Sequence, residues 1–102
     1  MRVEMTFNDE AISVNGYKKQ DIYQTLKKAF IQRGLRCSSD NEILSFEDSG
    51  NENDYANMWV LLVNLLKFDW FVKCASSCVF FDDDDTTEDV LCQATEIRQM
   101  LA

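Results

Sequence analysis

The sequence predicts an α+β fold: one two-layer domain over residues 1–102, with about three strands in the order β-α-β-α-β-α and the helices packed on one face. Three observations predict it. The chain opens on a period-2 alternation of apolar and polar residues, the pattern of a strand with one buried face. Segments of helical periodicity then separate short runs rich in β-forming residues. Finally, there is no Pro and there are only three Gly, so no composition shift marks a linker and no helix is broken from within.

In the first strand Val3, Met5 and Phe7 alternate with Arg2, Glu4 and Thr6. Asn8-Asp9-Glu10 then offers a cap, and Ala11 to Val14 a short helical turn closed by Asn15-Gly16. Ile22, Tyr23, Leu26, Ala29 and Phe30 share one face of a helix from about Lys19 to Arg33. Gly34 stands where a left-handed C-terminal cap is wanted, with Leu35 to make the accompanying apolar contact.

A second strand is expected from Glu42 to Glu47, carried by Ile43, Leu44 and Phe46. The turn-rich loop Asp48–Asp54 delivers the chain into Tyr55–Leu66, a helix apolar around most of its circumference and so expected to be the most buried, with Trp59 in the core. Trp70-Phe71 follows Asp69 at an element boundary and is expected in the core, with partial exposure as the lesser alternative. Val79-Phe80-Phe81 forms the third strand, stopped by Asp82–Asp85. Thr86-Thr87-Glu88-Asp89 reads as a helix start, and Val90, Leu91, Ala94, Ile97 and Leu101 as the buried face of the last helix.

Composition narrows the function. A chain of 102 residues with 46% hydrophobic residues can bury a core without disulfide or metal staples. The formal charge of −8 repels nucleic acid and anionic membranes, so no direct nucleic-acid binding is expected and a basic protein partner is favoured. No His is present, which excludes serine triads, Cys–His dyads and ordinary catalytic zinc sites. The N-terminus carries no apolar signal core and no apolar run approaches a membrane span. A cytoplasmic location follows as the expectation, with the four cysteines reduced.

Short patterns that resemble chemistry fail on inspection. Cys92 and Arg98 have the spacing of a tyrosine-phosphatase loop, but that loop needs permissive glycines around the phosphate, and this segment has helical periodicity with Glu96 set to repel it. A small enzyme using Cys92 and Arg98 is therefore the minor alternative. Cys74 and Cys78 form one short-spaced pair where zinc sites want two. Asp82–Asp85 fits no register of a calcium loop, since the required Gly and Glu do not fall at positions six and twelve together. Neither a metal nor a cofactor is expected.

The charge map carries the remaining information. Six of the ten basic residues (Lys18, Lys19, Lys27, Lys28, Arg33 and Arg36) crowd the first long helix and its end. Asp40 to Asp54 carries six acids without a base, and Asp82 to Asp89 another six. If the two acidic loops lie at one end of the sheet, they concentrate a negative field. The candidate partner-binding residues are accordingly Glu47, Asp48, Glu52, Asp54, Asp82, Asp83, Asp84, Asp85, Glu88 and Asp89. Two other readings compete: acidic loops that only keep the protein solvated, and a homodimer joining the basic helix of one copy to the acidic loops of another.

Taken together, Gly16-Tyr17 through Asp21-Ile22-Tyr23, Ser45-Phe46-Glu47-Asp48-Ser49-Gly50 through Met58-Trp59, Asp69-Trp70-Phe71 through Cys78, and Glu88-Asp89-Val90-Leu91 carry a resemblance. The chain resembles small uncharacterised acidic proteins carried on integrative and conjugative elements of Gram-positive gut bacteria. The resemblance implies a mobile-element accessory protein and carries over no active site. Small acidic proteins of such elements sometimes disarm host defence nucleases. The functional expectation is thus a non-catalytic interaction domain that binds or inhibits a basic or nucleic-acid-handling protein, its carboxylates standing in for phosphates.

Overall fold

The computed structural model describes residues 1–84 and 86–92. It is an α+β fold in which a five-stranded antiparallel sheet carries its helices on one face. Strand β1 (Arg2–Phe7) leads through helices α1 (Asp9–Val14) and α2 (Lys19–Gln32) to the hairpin of β2 (Arg36–Asp40) and β3 (Leu44–Glu47). Helices α3 (Asp54–Leu66) and α4 (Asp69–Cys74) then return the chain to β4 (Ala75–Phe81) and β5 (Thr87–Asp89). The spatial order is β2-β3-β1-β4-β5, so the first strand is the central one.

The alternation of β1 sets the layers. Val3, Met5 and Phe7 point into the core, and register puts Phe46 and Phe80 on either side of Val3, Leu44 and Cys78 on either side of Met5. Phe30 of α2 stacks on Phe46 at 4.1 Å, Trp59 of α3 packs on Phe80 at 4.9 Å, and Phe71 of α4 meets Phe7 edge-on at 6.1 Å. These contacts place α2, α3 and α4 on the same face. The opposite face is polar and hydroxyl-rich: Thr6 and Ser77 share a hydrogen bond of 2.6 Å, and Ser38 and Ser45 one of 2.8 Å.

Helix ends follow their local signals. Asn8 caps α1 by accepting the Ala11 N–H at 2.9 Å. Gly34, at φ +83°, closes α2: its N–H reaches the Ile31 carbonyl and the Leu35 N–H the Phe30 carbonyl, while Leu35 is buried. This is the paired-bond C-terminal cap that a left-handed residue allows.

The expectation of about three strands becomes five among the described residues, and the order β-α-β-α-β-α changes with it. β2 escapes the periodicity argument because it is a polar edge strand, Arg-Cys-Ser-Ser-Asp, in which only Cys37 packs against the core. The second expected strand begins at Leu44 rather than Glu42, because Asn41–Ile43 make the hairpin turn. β4 starts four residues early, since pairing with β1 makes strand of Ala75–Cys78 despite their small polar side chains.

The helix start expected at Thr86–Asp89 is instead β5, which pairs with the otherwise open side of β4. Ladder hydrogen bonds outweigh the local capping pattern there. A capping bond of the expected kind is made three residues later, where Asp89 accepts the Cys92 N–H at 3.1 Å. Of the expected last helix, Val90 to Cys92 form a turn with Val90 buried. Ala94, Ile97 and Leu101 lie outside the described residues. Helix α3 is less enclosed than its composition suggests: it buries Met58, Leu62 and Leu66 but leaves Tyr55 and Val60 exposed. In a two-layer fold the outer side of a helix faces away from the sheet, and no other described element covers it. Trp59 is accordingly half-buried at the margin of the core.

Candidate functional site

Antiparallel pairing on both sides of β1 assembles the acidic end. Arg2 lies opposite Glu47 of β3 and opposite Phe81 of β4, so the loops that follow these two strands flank the start of β1. The Met1 ammonium is paired with Asp48 at 3.3 Å and with Asp83, joining carboxylates from both loops. Asp48 also donates its N–H to the Met1 carbonyl at 3.3 Å. The hydrogen bond to Asp83, helped by Asp48, holds the ammonium above its usual pKa range against the opposing effect of burial. A hollow of about 360 Å³ opens between them, lined by Arg2, Glu47, Asp48, Phe81, Asp82 and Asp83 with Met1.

The ten candidate acids fall into distinct positions. Glu47, Asp48, Asp82 and Asp83 are brought together at this hollow. Asp84 is exposed but engaged in the turn, accepting the Thr86 hydroxyl at 2.6 Å and the Thr86 N–H at 3.1 Å; these bonds, the hydroxyl first, hold its carboxyl below the usual range. Asp82 accepts the Asp83 N–H at 2.7 Å and its own N–H closes the turn onto the Thr86 carbonyl. Glu88 and Asp89 sit exposed on β5, opposite Phe80 and Val79, further along the sheet from the rim. Glu52 is exposed in its loop, and Asp85 lies outside the described residues.

Asp54 turns inward instead. Only 1% of it is exposed, and one carboxylate oxygen accepts the N–H groups of Ser49 at 2.7 Å and Asn51 at 3.1 Å. Burial pushes its pKa up, but the loop N–H groups win and hold it below the carboxylate range. Asp54 shapes the acidic loop and offers a partner nothing.

Basic groups temper the field nearby. Arg36 reaches Glu47 at 3.2 Å, and Arg2 reaches Glu4 at 3.2 Å while its guanidinium lies over the Phe81 ring at 4.3 Å. On α2, Lys27 pairs with Asp40 and Lys19 with Asp9, whereas Lys18, Lys28 and Arg33 have no ion pair among the described residues.

The thiols are poorly placed for nucleophilic chemistry. All four are free. Burial pushes the Cys78 thiol up to about 12 and raises that of Cys74. Cys92 is exposed, but a hydrogen bond with Asp89 and the charge of its carboxylate raise its pKa, which opposes the thiolate a phosphatase needs. Arg98 lies outside the described residues. Among the described residues no group of three or more Cys, Asp or Glu is arranged to hold a metal ion, and no helix is long and apolar enough to cross a membrane.

Sequence reasoning passes over Met1, Arg2 and Phe81 as parts of this rim. No local signal marks them, because only strand pairing across the whole chain brings them between the loops. In comparisons with known proteins, no family model, no curated protein and no solved structure matches this chain.

Proposed function

We propose that the protein is a non-catalytic interaction domain that presents the acidic end of its sheet to a basic protein surface. One observation carries the reading: Asp48 and Asp83, from loops far apart in sequence, meet on the same ammonium group, so the two acidic segments form one electronegative rim. Carboxylates gathered on fixed strand ends match a surface of Lys and Arg that otherwise holds phosphates. A nucleic-acid-handling protein is the fitting partner class, in keeping with the mobile-element resemblance. The raised thiol pKa values support a role in binding rather than thiol chemistry.

The test is affinity capture from host lysate with mass spectrometry, comparing the native protein with a variant carrying Asn at Asp82, Asp83, Asp84 and Asp85. A basic partner retained only by the native protein, and released as salt rises from about 0.1 to 1 M, supports the reading, since exposed charges are screened over that range. Circular dichroism checks that the variant is folded. A partner held equally by both proteins, or none at all, refutes the acidic rim as a binding surface. Solution mass then decides the homo-oligomeric alternative.

A further inference from the structure

The two edges of the sheet differ. At β2 the register shifts between Cys37 and Ser39, and a bulge of that kind turns an edge away from further pairing. β5 pairs with β4 in one unshifted register. The pairing runs on at both of its ends, where the Asp82 N–H donates to the Thr86 carbonyl at 2.9 Å and the Val90 N–H to the Cys78 carbonyl at 2.8 Å. Bonded and outward-facing residues alternate along an antiparallel edge strand. Thr86, Glu88 and Val90 therefore bond β4, while the N–H and C=O of Thr87 and the N–H of Asp89 point outward, with no hydrogen bond among the described residues. Thr86–Val90 spans roughly 16 Å at the rise of a strand, room for about five residues of an added one.

Side chains on this edge select what can be added. Thr87, Glu88 and Asp89 are all exposed. Asp89 shares the open face of the sheet with Val79, and Glu88 lies opposite Phe80 on the helical side, so each face of the edge carries a carboxylate. Neither carboxylate has an ion pair among the described residues. Six acids and no base lie between Asp82 and Asp89. Across the ladder, Arg2 lies over the Phe81 ring, beside Thr87, and is paired with Glu4. A second copy is a poor occupant: antiparallel pairing of two β5 edges about Glu88 sets the two Glu88 side chains directly opposite, and like charges so placed are destabilising. β2 of a second copy brings Asp40 along with Arg36, and its own bulge. A strand with Lys or Arg opposite Glu88 and Asp89 makes both cross-strand pairs attractive.

We propose that the open edge of β5 takes up an extended basic segment of the partner protein as an added strand. Its backbone bonds Thr87 and Asp89, and its Lys or Arg side chains meet Glu88 and Asp89. Strand addition draws affinity from main-chain hydrogen bonds and specificity from the side chains. The inference rests on the acidic-rim reading for the charge of the partner, and adds the conformation in which that partner is held.

Full-length ¹⁵N-labelled protein is titrated with an extended peptide of about eight residues, two adjacent Lys set among Thr and Val. One counterpart bears Glu for Lys; another has its central backbone amides N-methylated, which keeps the charge and removes the donors. The expected result is saturable binding of the Lys peptide, with slowed exchange of the Thr87 and Asp89 amide protons, and no binding of the Glu peptide. N-methylation of the peptide and Thr87→Pro in the protein should each weaken binding by about tenfold, the effect of losing one or two main-chain bonds. Pro is tolerated at position 87 because the N–H it removes faces outward, and every acid is kept. If circular dichroism shows that variant unfolded, the N-methylated peptide on the native protein decides. Absence of saturable binding, equal binding of the Glu peptide, or Thr87 and Asp89 amides already as protected in the free protein as that of Glu88 overturns the proposal. Equal binding of the Lys and N-methylated peptides, lost with Asn at Asp82–Asp85, overturns strand addition and leaves the acidic rim standing. Strand addition by the Lys peptide that persists in that Asn variant, when the lysate partner is also retained by it, upholds the edge and removes the rim.

Discussion

The packing of the helical layer on the sheet can be tested at one ring. Phe30 is fully buried and lies nearly parallel to Phe46, the ring planes 5° apart. Burying a phenyl side chain removes about 150–250 Å² from water, worth roughly 4–6 kcal/mol as an upper bound at about 25 cal/mol per Å². Measured Phe→Ala substitutions in cores cost about 3–5 kcal/mol, so Phe30→Ala should cost about 4 kcal/mol. That is a large share of the roughly 5–15 kcal/mol that stabilises a domain, and implies a fall in Tm of roughly 15–30 °C. Ile31, the next residue, is 56% exposed, and Ile31→Ala should stay within about 0.5 kcal/mol. Urea unfolding followed by circular dichroism compares the two. Phe30→Leu, expected to cost about 1–1.5 kcal/mol, keeps the test readable if the Ala variant does not fold. A cycle with Phe46→Leu should expose a coupling of about 0.5–1.5 kcal/mol for the ring pair. Equal costs at positions 30 and 31 would refute the assignment of α2's buried face.

Two further outcomes follow from the buried loop carboxylate and the thiols. The lowered pKa of Asp54 means that its contribution to stability is present above the unfolded value of about 3.9 and is lost as pH falls through the lower folded value. Asp54→Asn should therefore be less stable than the native protein at pH 7, with the gap narrowing at pH 3; urea midpoints check this, and a gap independent of pH would contradict the loop geometry. Under native conditions at pH 8, an aromatic disulfide reagent should label exposed Cys92 first, with Cys74 and Cys78 reacting only on unfolding. Early labelling of Cys78, located by peptide mapping, would contradict its burial.

Much of the local structure is legible along the chain. The alternation of Val3, Met5 and Phe7, the periodic face Ile22–Phe30 and the Gly34 cap each depend on residues a few positions apart, and each recurs in the fold. Where the reading departs from the structure, a distant partner decides. Polar Arg36–Asp40 becomes a strand because β3 offers it a ladder, and Thr87–Asp89 because β4 has an open edge. Six-residue α4 is too short to display a period.

The candidate sites divide in the same way. The sequence by itself determined which segments carry charge: two acidic loops and a basic helix. Charge content is a local property and survives any fold. Tertiary structure alone decided that Asp48 and Asp83 converge on Met1 while Asp54 turns inward. Those arrangements depend on the order and register of the strands, which follow from how the whole chain buries its apolar faces together.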